Sequence, residues 1–160
     1  MPQTPDPLQL DHFLCFSLYA TTHAMQRVYA PMLADLGLTY PQYLAMVVLW
    51  ERDDCTVGEL GQRLLLESST LTPLLKRLEA AGLLSRARDL RDERQVRVRL
   101  TAAGRDLRSR AEPIPACVFE ASGMCVDELV ALKQQLDALR ERLNARELAA
   151  PASATRGEAP

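Results

Sequence analysis

Residues 60–83, LGQRLLLESSTLTPLLKRLEAAGL, followed by residues 91–104, RDERQVRVRLTAAG, decide the fold of this chain. In the first stretch Leu71, Leu74, Leu75 and Leu78 fall at i, i+3, i+4 and i+7, one face of a helix, and Gly82 is its C-terminal stop. Ser69, Thr72 and Lys76 point elsewhere. Pro73 requires either that this helix start only one turn earlier or that it bend there. In the second stretch the period changes to two. Val96-Arg97-Val98-Arg99-Leu100 alternates strictly, and Leu84 to Arg88 supplies a partner strand across the charged turn Asp89 to Arg94, which predicts a β-hairpin.

Reading outward, Thr56-Val57-Gly58-Glu59 has the T-x-x-E form of a capping box and starts a short helix with Leu60 and Leu64 on one face. Before it, Thr39 caps a helix through Tyr43, Leu44, Val47, Val48 and Trp50, with Pro41 in its first turn. This helix is apolar nearly all round and is therefore expected to be buried. Asp6-Pro7 reads as an N-cap with proline at the first helical position, opening a long helix through His12, Cys15, Tyr19 and Ala24 that Pro31 should bend or end. Downstream, Thr101 caps a further helix that Pro113 and Pro115 interrupt. A last helix starts near Asp127 and spaces Leu129, Leu132, Leu136, Leu139 and Leu143 alternately by three and four, a coiled-coil-like seam. Residues 1–5 and 149–160 lack an apolar stripe and read as disordered. The expected class is mainly α with a small β-hairpin.

With 160 residues, 48% apolar and 25% charged, the chain has ordinary globular composition and one domain over residues 6–148 is the expectation. The net charge of −2 hides an asymmetry: Thr56 to Gly104 carries nine basic against six acidic residues, a net of +3, and the remainder is acidic. No basic segment leads into an apolar run at the N-terminus, and no apolar run approaches membrane length, so a cytoplasmic protein without membrane contact is expected. There Cys15, Cys55, Cys117 and Cys125 rest as thiols. No C-x-x-C pair occurs and only His12 and His23 add to the donor set, so neither a metal nor a cofactor is expected.

A short capped helix, a turn, a second helix with a polar face and an arginine-rich hairpin are the order of a winged helix-turn-helix. A helix fits the major groove and offers Ser, Thr and Lys to base edges and phosphates. Arginine on an extended hairpin reaches a minor groove.

These stretches resemble the DNA-binding core of MarR-family repressors, whose wing tip carries the motif seen here as Asp92-Glu93-Arg94. LCFSLYA (residues 14–20) and LTYPQYLAMVVLW (residues 38–50) further resemble the organic hydroperoxide sensor (OhrR) subgroup. The resemblance spans roughly residues 8–145. It implies a homodimer joined by helices within residues 6–36 and 102–148, presenting winged helix-turn-helix lobes (about residues 39–104) to pseudopalindromic double-stranded operator DNA. Carried over, the recognition helix begins around Ser68, with Ser68, Ser69, Thr70, Thr72, Lys76 and Arg77 as groove and phosphate contacts. Arg86 meets the DNA backbone, and Arg94, positioned by Asp92, enters the minor groove.

From its own stretch, Phe13-Leu14-Cys15-Phe16, Cys15 reads as packed core, and it sits some nine residues into the helix, beyond reach of that helix's dipole. The resemblance instead makes it a redox-sensing thiol. Tyr19 lies one turn away, and Tyr29 and Tyr40 are implied to come from the partner subunit to hydrogen-bond the thiolate. An organic hydroperoxide is then the inducer. The oxidised sulfur is resolved by a low-molecular-weight thiol or by a second cysteine. Glu120 stands where a resolving cysteine is expected, which leaves Cys117, one turn away, slightly preferred over Cys125. Cys55 has no assigned role. One rival reading is a repressor responding to a small phenolic compound, with Cys15 structural. A second is a thiol peroxidase, disfavoured because the basic residues are spent on a hairpin.

Overall fold

The computed structural model describes residues 8–149. A 3₁₀ turn at Leu10–His12 is separated by the extended Phe13 from helix α1 (Leu14–Leu36). This corrects the expected helix start: Phe13, at φ −86° and ψ 113°, interrupts the helical path, and Asp6 and Pro7 lie outside the described residues. Cys15 is therefore the second residue of α1, within its first turn, and not deep inside a longer helix. Pro31 does not end α1. A proline removes one N–H from the ladder, and the helix instead stops where Gly37 turns left-handed (φ 69°), its N–H donating to Ala34 and the Leu38 N–H to Leu33.

Helix α2 (Tyr40–Glu51) is capped as expected, Gln42 Oε1 accepting from the Thr39 N–H at 2.8 Å. From Gln42 to Trp50 no residue of it is exposed, and Tyr43, Ala45, Met46 and Leu49 are fully in the core. A two-residue strand β1 (Cys55–Thr56) then leads into α3 (Val57–Leu64), whose Thr56/Glu59 capping box is formed in both directions, at 3.1 and 2.7 Å. Leu65, left-handed at φ 56°, makes the turn into α4 (Ser68–Ala80). Leu71, Leu74, Leu75 and Leu78 of α4 are buried, each contributing roughly 2 kcal/mol of apolar transfer. Pro73 sits inside α4 without ending it.

Strands β2 (Leu84–Arg88) and β3 (Val96–Leu100) pair antiparallel from Leu84↔Leu100 to Arg88↔Val96, the hairpin anticipated from the alternation. Strand β1 adds to the free edge of β3, Cys55 opposite Val98, giving a three-stranded sheet ordered β1-β3-β2. Two residues carry no readable period, so this third strand has no sequence signal. Helix α5 (Ala102–Ala111) is capped by Thr101, whose Oγ1 accepts from the Gly104 N–H at 3.1 Å, and α6 (Ile114–Ser122) follows the break at Pro113.

The expected single domain divides into two compact units, the first closing at Ala121 and the second opening at Ser122. The second contains α7 (Val126–Ala149), in which no residue from Val126 to Arg146 is buried: Leu129, Leu132, Leu136 and Leu143 of its seam are all exposed. Of the stretches read as disordered, 1–5 and 149–160, residues 1–5 and 150–160 lie outside the described residues, whereas Ala149 is the last residue of α7. No single described helix is long and apolar enough to cross a membrane. Helices α1 and α2 satisfy that test only jointly, bent by 70°.

Candidate functional site

Of two groups of predicted residues, one is brought together in the first unit. On α4, Ser68, Ser69, Thr70, Lys76 and Arg77 are exposed and Thr72 is half-buried, opposite the leucine face. The hairpin stands beside this surface, and a cleft of about 520 Å³ between them is lined by Thr56, Gln62, Ser68, Thr72, Arg86 and Arg94, among others. At the wing tip the Arg94 side chain is 90% exposed and is aimed by Asp92, whose Oδ1 accepts from Arg94 Nε at 3.0 Å and whose Oδ2 accepts from Nη2 at 3.3 Å. The Asp92 carboxyl is lowered below its ordinary value first by this guanidinium hydrogen bond. An exposed pair of this kind contributes little stability. Its effect is to preorganise an almost fully exposed arginine at the wing tip.

Arg86, expected at the DNA backbone, is held by Glu79 of α4. Its Nε and Nη2 donate to Oε2 at 2.9 and 2.7 Å, and its backbone N–H donates to Oε1 at 2.9 Å. This three-bond clasp fixes the hairpin against the recognition helix, and it lowers the Glu79 carboxyl, chiefly through the Arg86 side-chain bond. A depressed acid stabilises the fold above its unfolded value, and the stabilisation disappears as pH falls through the folded one. Glu79→Gln should therefore melt below the wild type at pH 7. The gap should close as the pH drops below the ordinary glutamate value of 4.5, followed by circular dichroism.

Sequence reasoning missed two acids that organise the wing. Asp53 and Asp54 end the turn after α2, Asp54 in a left-handed conformation (φ 60°). Asp54 accepts from Arg97 Nε at 2.7 Å and pairs with Arg99, whereas Asp53 accepts from the Leu100 N–H at 2.8 Å and from Arg105 at 3.0 Å. Consecutive aspartates in a turn read only as solvated charge. Much of the basic excess is thereby internally paired. Among the described residues Lys76, Arg77, Arg88 and Arg91 carry no ion pair.

The second group, the thiol and the residues predicted to serve it, is not assembled within one chain. Cys15 is exposed, not core, because the start of α1 stands clear of the packed interior. Tyr19, one turn on, is 62% exposed and meets His23 edge-on at 4.3 Å. Leu10, Leu14, Met25 and Val28 are exposed along the same segment. Tyr29 and Tyr40 are in contact, ring centroids 4.9 Å apart, and Tyr43 joins them at 5.9 Å from Tyr29. Burial and the neighbouring phenols push Tyr29 up to about 12, and burial raises Tyr40, so both remain neutral donors at neutral pH. Within one chain these phenols do not meet Cys15: fourteen residues of helix separate Cys15 from Tyr29, about 21 Å at 1.5 Å per residue. Cys117 is exposed on α6, in the first unit. Cys125 is exposed ahead of α7, its N–H donating to Glu128 Oε2 at 2.8 Å. Cys55 is buried on β1, and burial raises its thiol, in keeping with an inert role.

The profile of the family "Transcriptional regulator SarA/Rot" matches residues 27–110, more than half of the chain. The organic hydroperoxide resistance transcriptional regulator of Bacillus subtilis (strain 168) is 43% identical over 87% of this chain and 95% of its own. The chain belongs to the MarR family of transcriptional regulators. Within that family the HTH-type transcriptional regulator TtmR of Methylorubrum extorquens (strain PA1) is 51% identical over 88% of this chain and 72% of its own. AbfR of Staphylococcus epidermidis superposes with a TM-score of 0.71 at 36% identity, over 82% of this chain and 91% of that one. AbfR has also been solved reduced on DNA (TM-score 0.68, 35% identity) and in a disulfide form (0.58, 34%). The MarR family is one of winged-helix regulators and not of enzymes.

Proposed function

We propose that this MarR-family regulator is a homodimeric repressor that holds a pseudopalindromic operator while Cys15 is reduced and releases it when an organic hydroperoxide oxidises Cys15. The observation that carries this reading is the placement of Cys15. It is exposed among apolar side chains in the first turn of α1, where negative charge on sulfur faces the positive end of the helix. A second copy of the chain covers that apolar surface and the exposed leucine seam of α7, and brings its Tyr29–Tyr40 pair to the thiolate as hydrogen-bond donors. The identity to the Bacillus subtilis hydroperoxide-resistance regulator and the reduced and disulfide forms of AbfR support the same chemistry.

In the reaction the Cys15 thiolate attacks one peroxide oxygen. An S–O bond forms as the O–O bond breaks, sulfur is oxidised to sulfenic acid, and the departing alkoxide takes a proton to leave as an alcohol. A second thiol, from Cys117, Cys125 or a low-molecular-weight thiol, then displaces water to form a disulfide. The displacement this causes passes along the phenol pair into α2 and from there to the base of the wing, because Trp50 Nε1 donates at 2.8 Å to the carbonyl of Gly104, which packs against Leu83 ahead of β2. A shift of a few Å between two heads that read successive major grooves breaks their register.

The test is fluorescence anisotropy of a duplex from upstream of its own gene, with the reduced protein, before and after one equivalent of cumene hydroperoxide. Tight binding lost on peroxide and regained with a dithiol is the expected result. Binding indifferent to peroxide overturns the sensor reading.

One observation favours a second reading. A cleft of about 260 Å³ between α2, α5 and α6, lined by Tyr43, Val47, Trp50, Arg108 and Pro115, is smaller than a usual ligand pocket and suits only a small aromatic compound. Release by salicylate and not by peroxide would favour it.

A further inference from the structure

Arg97 lies on β3 facing away from the core, where its position suggests a phosphate contact. Its guanidinium is spoken for on both sides. Nε donates to Asp54 Oδ1 at 2.7 Å and Nη2 to the Asp54 carbonyl, while Nη1 donates to Asp89 Oδ2 at 3.1 Å. Asp54 belongs to the turn after α2, fixed in turn because its N–H donates to Asp53 Oδ1 at 2.8 Å. Asp89 opens the wing turn, where its Oδ1 accepts from the Arg91 N–H at 2.7 Å and its N–H donates to the Gln95 carbonyl at 2.9 Å. The Gln95 N–H closes on the Asp92 carbonyl at 2.9 Å, and Asp92 aims Arg94. The hydrogen bonds thus run without a gap from the turn after α2 to the wing tip.

We propose that Arg97 is a positioning residue for DNA reading: gripped between Asp54 and Asp89, it is a strut that sets the angle of the wing and delivers Arg94 to the minor groove. The inference rests on the DNA-binding reading above and adds a role for two acids. It makes a prediction opposite in sign to simple electrostatics. Removing the negative charge of Asp54 releases Arg99 for phosphate, leaves Arg97 with one carboxylate in place of two and, as a charge effect alone, tightens binding to any duplex. A strut that loses its anchor instead weakens binding at the operator.

The experiment is a double-mutant cycle of Asp54→Asn and Arg94→Ala in the full-length reduced protein, on the upstream duplex and on a random duplex of equal length, with hydroxyl-radical footprinting of each complex. Asp54→Asn is expected to lose about tenfold in operator affinity, with random-duplex affinity unchanged or higher and protection lost only at the outer minor grooves. In the Arg94→Ala background it should cost nothing further, because a strut acts only through the side chain it delivers. Additive losses, or operator binding by Asp54→Asn as tight as wild type, overturn the strut. Arg97→Lys, which keeps the charge but not the fork, guards against a folding failure: it should reproduce the Asp54→Asn footprint, and an unaltered footprint also overturns the proposal. Absence of any protection by the wild type would overturn DNA reading itself, and the strut with it.

Discussion

Cys15→Ser should bind the upstream duplex as tightly as the reduced wild type and should remain bound after peroxide. The wild type is expected to lose at least about 100-fold in affinity under the same treatment, since release must carry it toward non-specific binding. Serine matches the cysteine in size and is exposed at the same place, so neither the first turn of α1 nor the recognition surface has reason to change. Its hydroxyl does not form an anion at neutral pH, and the nucleophile is gone. Tyr40→Phe makes the complementary change: it removes one phenol donor, keeps the ring contact at 4.9 Å to Tyr29, and should slow oxidation while leaving operator affinity intact. The rates are read by mass spectrometry of Cys15 over time, and the affinities by anisotropy. Peroxide release of Cys15→Ser as complete as that of the wild type would move the sensing thiol elsewhere, with Cys117 and Cys125 the next to replace.

The second large effect is one of stability. Gly104→Ala should lower the stability by roughly 3 kcal/mol, as forced overpacking does, and the melting midpoint by about 10 °C. A Cβ on Gly104 would lie 1.9 Å from the Leu83 carbonyl oxygen, which is backbone and has no rotamer to yield. That carbonyl also accepts from the Thr101 N–H at 3.1 Å, so moving it opens the base of the hairpin. The Gly104 carbonyl holds Trp50 as well, so the same shift loosens the tie between α2 and α5. Alanine is otherwise the better helix former. An alanine variant that melts with the wild type would mean that the approach of α5 to β2 is not the close one described. Glycine in a helix near its cap gives no hint of this from sequence, because the contact is made by a carbonyl twenty-one residues earlier.

Much of the reading head is legible in one dimension. The leucine spacing of α4, the Thr56/Glu59 and Thr101 caps and the alternation of β3 are local patterns with local causes, and each element appears where its pattern puts it. The polar residues of α4 face outward for the same reason, since burying four leucines on one side leaves Ser69 and Lys76 on the other. The pairing of Asp92 with Arg94 is equally local, two residues apart in a turn.

What the chain's order does not express is contact between distant residues. Asp53 and Asp54 hold Arg97, Arg99 and Arg105 across more than forty positions, and Glu79 takes the Arg86 that the family resemblance assigns to the DNA backbone. A count of basic residues cannot tell a guanidinium gripped by carboxylates from one left for phosphate. The exposure of Cys15 belongs to the same class. Flanking phenylalanines read as core, yet α1 begins only at Leu14 and its first turns stand outside the packed interior, because a helix end is buried only if something else in the fold covers it. Sequence by itself determined the elements, their caps and the face each one buries, since those follow from neighbours within a turn or a strand. Tertiary structure alone decided which charges are spent inside the protein, because that choice depends on residues that meet only when the chain has folded.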